Sequence, residues 1–156
     1  FAKEVMPLVT AQMPKARFFV VGRSPGPEVQ ALQGEHVAVT GTVPDVRPYL
    51  QHAALVVAPL RIARGIQNKI LEAMAMAKAV IASTECAGPI DATPGEELLA
   101  ASSAESFASQ IDALLSKPEQ AREIGRQGRA AVVARYSWDA HLSRIDPYLP
   151  QTPRSC

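Results

Sequence analysis

Neither sign of charge prevails in this 156-residue chain, where 16 Lys and Arg stand against 15 Asp and Glu. A balance of that kind lacks the field that recruits nucleic acid or anionic lipid, so any anion site must be a local arrangement. Cysteine is scarce as well. Cys86 and Cys156 stand far apart, without the C-x-x-C pairing of a metal site, which argues against a structural zinc and for a reduced intracellular protein with free thiols. Long apolar runs are missing too. The longest, residues 53–60, falls far short of the roughly 20 that span a bilayer, and no charged-then-apolar leader opens the chain. The expectation is a cytoplasmic protein without a transmembrane segment, leaving room only for peripheral contact with a membrane. The three histidines, His36, His52 and His141, are scattered with no serine, cysteine or carboxylate at triad spacing, and read as surface or helix-facing.

What is present is ordinary globular composition. Apolar residues make up 47% and charged ones 20%, far from the signature of disorder, and the length suits one domain with its own core. Val5, Leu8, Val9 and Met13 recur at helical spacing over residues 2–13, and Pro14 ends that pattern. Residues 18–21 form a short aromatic and β-branched run closed by Gly22, as in a strand buried on both faces. Similar runs at 36–39, 54–58, 79–82 and 97–100 alternate with candidate helices at 28–33, 46–51 and 68–77. That alternation predicts an α/β fold, a Rossmann-like, doubly wound parallel sheet. After residue 100 only helices are expected, at 104–116, 119–135 and roughly 138–148. Phe107, Ile111, Leu114 and Leu115 form an apolar stripe on the first, Pro118 sits in the first turn of the second, and Trp138 is expected to anchor the third. The domain is expected to fill residues 1–149, with 150–156 a loosely held tail. Phe1, rather than an initiator methionine, leads straight into a helical pattern, which suggests a fragment of a longer two-domain protein.

In an open parallel sheet, ligands bind beyond the carboxyl ends of the strands, where loops enter helix N-termini with free N–H groups. The best candidate is the loop after Ala58-Pro59-Leu60. Arg61, Arg64 and Lys69 supply positive charge, Gly65 lets backbone approach a ligand, and Asn68, a favourable N-cap, opens the helix. This suits a diphosphate. Glu72, about one turn into the helix, can accept hydrogen bonds from vicinal hydroxyls of a ribose. The stretch Gly22-Arg23-Ser24-Pro25-Gly26-Pro27 misses the dinucleotide fingerprint, and its prolines remove donors, so it reads as a loop.

The segment Gly65-Ile66-Gln67-Asn68-Lys69-Ile70-Leu71-Glu72, followed by residues 73–83, resembles the donor motif of GT-B retaining glycosyltransferases, most of all family 4. Phe19-Val20-Val21-Gly22, Gly41-Thr42-Val43-Pro44-Asp45-Val46 and Tyr136-Ser137-Trp138-Asp139 match further segments of that family, so the likeness covers nearly the whole chain. Within it the flavour is that of bacterial exopolysaccharide sugar transferases. The resemblance implies the C-terminal half of a GT-B fold with extra C-terminal helices. It implies a nucleotide-diphosphate sugar as donor, with no cofactor and no metal. Glu72 would hold the ribose and Val43 the base. Lys69 and the backbone of Gly65, Ile66, Gln67 and Asn68 would meet the diphosphate, with Leu71 in the same motif. The family usually carries two glutamates with seven residues between them; at the position of the first, this chain has Arg64. Arg64 is therefore the candidate catalytic residue, gripping the β-phosphate or an acidic donor sugar. In relatives a phosphate clamp follows the first strand of this domain, and a sugar, lipid-linked or other acceptor binds the N-terminal domain. Both precede the part of the family that this chain matches. The fragment is thus expected to bind nucleotide weakly without turning over, and a sheet lacking that strand would expose an edge that invites association.

Two further classes stay open at this stage. One is a non-catalytic Rossmann-like nucleotide-binding or signalling module, although a phospho-receiver should carry acidic residues where Gly22-Arg23 and Pro59 stand. The other is a sugar-nucleotide epimerase of GT-B fold.

Overall fold

The computed structural model describes residues 1–142. The chain runs α1 (Met6–Gln12), β1 (Phe18–Val21), α2 (Pro27–Gln30), β2 (Val37–Gly41), α3 (Arg47–His52), β3 (Val56–Ala58), α4 (Asn68–Ala75) and β4 (Val80–Ser83). It continues through α5 (Thr84–Ala87), β5 (Leu99–Ala101), α6 (Ala104–Ser116), α7 (Pro118–Tyr136) and α8 (Trp138–Leu142). All strand pairings between these elements are parallel: β1 pairs with β2, and β3, β4 and β5 form a second sheet in that order. The alternation read from the sequence is therefore present, and its helices flank parallel strands. Among the described residues no ladder joins β1 to β3, so each keeps one edge without a strand partner.

The pairing decides burial. In β4, which has neighbours on both edges, Val80, Ile81, Ala82 and Ser83 are all buried. Successive side chains point to opposite faces, so one strand serves two cores. Ile81 joins Val5, just before α1, and Val9 of α1 with Phe107, Ile111 and Leu114 of α6, while Val80 and Ala82 join Ile70, Ala73 and Met74 of α4 with Cys86 and Leu98. Burying a side chain such as Ile81 or Met74 contributes about 1.5–3 kcal/mol. By contrast β1 and β3 stay half-buried along most of their length, although Phe-Phe-Val-Val and Val-Val-Ala are as apolar as β4.

Helix α7 lies against α4 because its inner face is small. Ala121, Ile124, Gly125, Gly128 and Ala131 are buried. A Cβ at Gly125 would stand 2.2 Å from the Ala77 carbonyl oxygen, and one at Gly128 2.6 Å from that of Glu97. From the same helix the Arg129 guanidinium donates to the Ala75 carbonyl at the end of α4, where a cation also suits the dipole. The Lys78 ammonium does the same for α3, donating to the Gln51 and Ala53 carbonyls at 2.6 and 3.0 Å. Between α4 and β4 the chain turns at Ala77 with φ 55°, a left-handed conformation that costs a side-chain-bearing residue about 1–2 kcal/mol. Ala77→Gly should accordingly stabilise the domain by about 0.5–1 kcal/mol, read from the midpoint of thermal unfolding.

The far end of α7 holds the loop before β5. The Arg135 guanidinium forks onto Glu97 at 2.7 and 3.1 Å and donates to the Asp91 carbonyl at 2.8 Å, while the Asp91 N–H donates to the Tyr136 hydroxyl at 2.6 Å. Arg135 holds the Glu97 carboxyl below its ordinary range. A lowered folded pKa means stability that is fully present above the unfolded carboxylate value of about 4.3 and lost as pH falls through the folded one. Glu97→Gln should cost roughly 1–2 kcal/mol at pH 7, and the gap from wild type should shrink at pH 3. Urea unfolding at the two pH values checks both.

The structure corrects several expectations from sequence. The first helix starts at Met6 rather than residue 2, after a run of turns with Pro7 in its first turn. The helix at 28–33 shortens to Pro27–Gln30, and β5 shifts from 97–100 to Leu99–Ala101. Helix α5 has no counterpart among the helices expected from sequence. Trp138 is 82% exposed and therefore does not anchor α8 within the described residues. The expected continuation of that helix to 148, and the tail at 150–156, lie outside the described residues.

Candidate functional site

The loop after β3 is fixed at both ends. At its start the Ser83 hydroxyl, the one polar side chain in the buried set of the described residues, donates to the Leu60 carbonyl at 2.6 Å and accepts the Cys86 N–H at 3.3 Å. That hydroxyl also caps α5. At its end α4 begins. Asn68 proves to be the first helical residue rather than the N-cap. Gln67 occupies the cap position in extended conformation, and its side chain turns back toward the Arg64 and Gly65 carbonyls at 3.4 and 3.3 Å, so no side chain caps the helix. The first N–H groups of α4 consequently stay open for a ligand.

Gly65 makes the bend possible. Its φ is +67°, and nothing lies within 4 Å of the place a Cβ would take. Within α4 the sequence separates two faces: Ile70, Ala73 and Met74 are buried at helical spacing, and Lys69 and Glu72 are exposed on the other side. Arg64, Lys69 and Glu72 make no side-chain hydrogen bond or ion pair with the described residues. Lys69 and Glu72 stand one turn apart without bridging to each other. The structure thus presents a cation, an open helix start and a carboxylate in succession, all facing solvent.

Arg61 behaves differently from its sequence reading as a free cation. Its guanidinium grips Glu4, at the approach to α1, at 2.9 and 2.8 Å from the two carboxylate oxygens. Both side chains are largely exposed, so the pair contributes little to stability. Its interest is its position. Glu4 and Arg61 line a cleft of about 320 Å³ at the carboxyl ends of β3, β4 and β5, shared with Phe1, Ser83, Glu85 and Ser102. No signal in the sequence links Glu4 with Arg61, since the contact depends on how α1 packs.

Val43 lies beyond the carboxyl end of β2, half-buried in a loop that is internally braced. The Asp45 carboxylate accepts the Arg47 N–H at 2.9 Å and is paired with the Arg47 guanidinium, which holds its carboxyl below the usual range. The Ser24 N–H donates to the Thr42 hydroxyl at 3.3 Å, tying the loop after β1 to it. The structure therefore sets Val43 on the two-stranded sheet and Gly65, Ile66, Gln67, Asn68, Lys69, Leu71 and Glu72 on the three-stranded one, all at carboxyl ends. His36 and His52 turn their Nδ1 atoms to the Ala16 and Pro48 carbonyls, away from this site. Among the described residues no three His, Cys, Asp or Glu side chains gather as a metal site would require, and no helix is long and apolar enough to cross a membrane.

Comparison with known proteins adds to this geometry. The model of the family described as "Glycosyl transferases group 1" matches residues 1–117. Sucrose-phosphate synthase from Thermosynechococcus elongatus is 26% identical with a TM-score of 0.76, covering 93% of this chain and 40% of that one. The C-terminal domain of a group 1 glycosyl transferase (LpcC) from Francisella tularensis gives 21% and 0.72, covering 86% and 77%. HepE of Anabaena, solved with UDP and glucose, gives 16% and 0.76, covering 96% and 45%. The last two are likenesses of fold. No curated protein sequence matches. The chain spans less than half the length of the synthase and of HepE.

Proposed function

Because the chain belongs to the group 1 glycosyl transferases and has the fold of the C-terminal half of a GT-B enzyme, we propose that it binds the nucleotide of a nucleotide-diphosphate sugar at the start of α4. The observation that carries this reading is the uncapped helix after a positive-φ glycine, flanked by three charged side chains, Arg64, Lys69 and Glu72, that have no hydrogen-bond or ion-pair partner among the described residues. The N–H groups of Asn68 and Lys69 and the Lys69 ammonium would receive the diphosphate. Glu72 would accept the ribose hydroxyls, and Val43 would rest against the base. Arg64 would stabilise negative charge on the departing diphosphate, the part of sugar transfer in which preorganised donors contribute most. No metal is assigned a role in that scheme. That HepE was solved with UDP supports a uridine nucleotide as the first to try. In the intact protein the sugar would pass to a sugar, lipid-linked or other acceptor in bacterial polysaccharide or glycoconjugate synthesis on the cytoplasmic side, and the chain by itself would bind without turnover.

Calorimetric titration of the chain with UDP, GDP and ADP, each beside its monophosphate, tests the reading. One diphosphate should bind more tightly than its monophosphate, and Arg64→Ala should narrow that preference by roughly three- to tenfold. A folded chain that binds none of the three would remove the nucleotide assignment; an Arg64→Ala variant with the same preference would remove the arginine from it.

A further inference from the structure

We propose that the loop between β3 and α4 docks on an anionic lipid surface, its aliphatic side chains entering the headgroup layer and its cations meeting lipid phosphates. What the loop leaves in water is the starting point. Ile62 is 84% exposed, and Leu60 and Ile66 are 47% and 46% exposed. Single exposed aliphatics are ordinary on a protein surface, but three within seven residues of one loop mark a place of apolar contact. The fold gives them nowhere to retreat. Arg61 turns into the cleft that it shares with Glu4 and Ser83, whereas Leu60 and Ile62, on either side of it, do not line that cleft. The Ser83 hydroxyl donates to the Leu60 carbonyl at 2.6 Å, and the Gln67 amide donates to the Arg64 and Gly65 carbonyls at 3.4 and 3.3 Å. Held in this way at both ends, the loop keeps Ile62 outward.

Charge identifies the occupant. Residues 46–71 include no Asp or Glu, while Arg61, Arg64 and Lys69 are interleaved with the exposed aliphatics. Arg64 and Lys69 have no hydrogen-bond or ion-pair partner among the described residues, and the exposed pairing of Arg61 with Glu4 is weak enough to yield to another anion. Aliphatic side chains among cations, with no carboxylate between them, match the boundary of an anionic bilayer, where acyl chains lie beneath phosphates. A protein partner suits this surface less well. A stable protein interface needs about 800 Å² on each side, and three side chains on one loop present far less. The whole chain carries a formal net charge of +1, so attraction to lipid has to come from this loop rather than from an overall field. Leu60 and Ile62 stand outside the residues assigned to the nucleotide, and the two surfaces can be tested separately.

The test is co-sedimentation of the chain with vesicles of phosphatidylcholine alone and with vesicles that also hold about 30% phosphatidylglycerol. The chain should bind the mixed vesicles about tenfold more tightly or better, and added salt should shrink that preference. Ile62→Ser should weaken binding to the mixed vesicles by about tenfold. Val133→Ser, which changes a side chain 56% exposed on α7, should bind as wild type does. Both positions are exposed, so both variants should keep the wild-type unfolding midpoint. Equal binding of wild type and Ile62→Ser would overturn the proposal, as would an equal loss in Val133→Ser or equal binding to the two kinds of vesicle. A chain that ignores both vesicles would also overturn it, and a dimer in light scattering that Ile62→Ser abolishes would then assign the surface to a second copy.

Discussion

Gly125→Ala should destabilise the domain by roughly 3 kcal/mol, a fall of roughly 6–12 °C in the unfolding midpoint for a chain of this size. The added methyl would stand 2.2 Å from the Ala77 carbonyl oxygen and 2.7 Å from its carbon. Those are backbone atoms of the turn that carries α4 into β4, so no side chain can swing aside. Relief would require α7 to retreat from α4, opening the packing around Met74, or the turn at Ala77 to shift, disturbing the start of β4. Three comparisons isolate the cause. Gly128→Ala, whose methyl would meet the Glu97 carbonyl oxygen at 2.6 Å, should cost slightly less. Gly88→Ala, with its nearest atom at 3.3 Å, should cost little, and Gly22→Ala, with nothing within 4 Å, should lie within about 0.5 kcal/mol of wild type. Equal midpoints for Gly125→Ala and Gly22→Ala would show that α7 does not depend on close approach.

Glu72→Ala separates binding from stability in the opposite sense. Glu72 is exposed and makes no side-chain hydrogen bond or ion pair with the described residues, and alanine is the better helix former, so the folded domain should be no less stable. If Glu72 accepts both ribose hydroxyls, its loss removes hydrogen bonds to a charged acceptor worth about 1.5–3 kcal/mol, or roughly 10- to 150-fold in affinity. The deficit should vanish for a ligand without ribose. Titration with UDP and with pyrophosphate makes the distinction: wild type and variant should differ for the first and agree for the second. Unchanged UDP affinity in the variant would strip Glu72 of this role.

Much of this was legible because local chemistry agreed with the final packing. Phe18–Val21 and Ala104–Ser116 fall where periodicity put them, and Gly65 and Pro118 occupy the backbone positions that their residue types favour. Failures arise where a distant partner decides. Asn68 is a better cap than Gln67 by composition, yet the bend at Gly65 draws the Gln67 side chain back to the carbonyls before it and moves the boundary by one residue. Helix α5 has only four residues, too few for a period, and owes its start to the Ser83 hydroxyl. The apolar ring of Trp138 suggests burial, but the described part of α8 offers it no surface. The pairing of Arg61 with Glu4 bridges 57 positions and depends wholly on where α1 lies. Gly125 and Gly128 were visible in the sequence, but what they accommodate was not.

The two bonds of the Ser83 hydroxyl bear on entropy. By holding the Leu60 carbonyl against the start of α5, they shorten the stretch free to fluctuate to the arc between Leu60 and Asn68. A short arc tethered at each end samples few shapes, so little disorder remains to be surrendered when a ligand settles on it. The hydroxyl, buried beneath the loop, thereby lowers the ordering cost of binding at a distance.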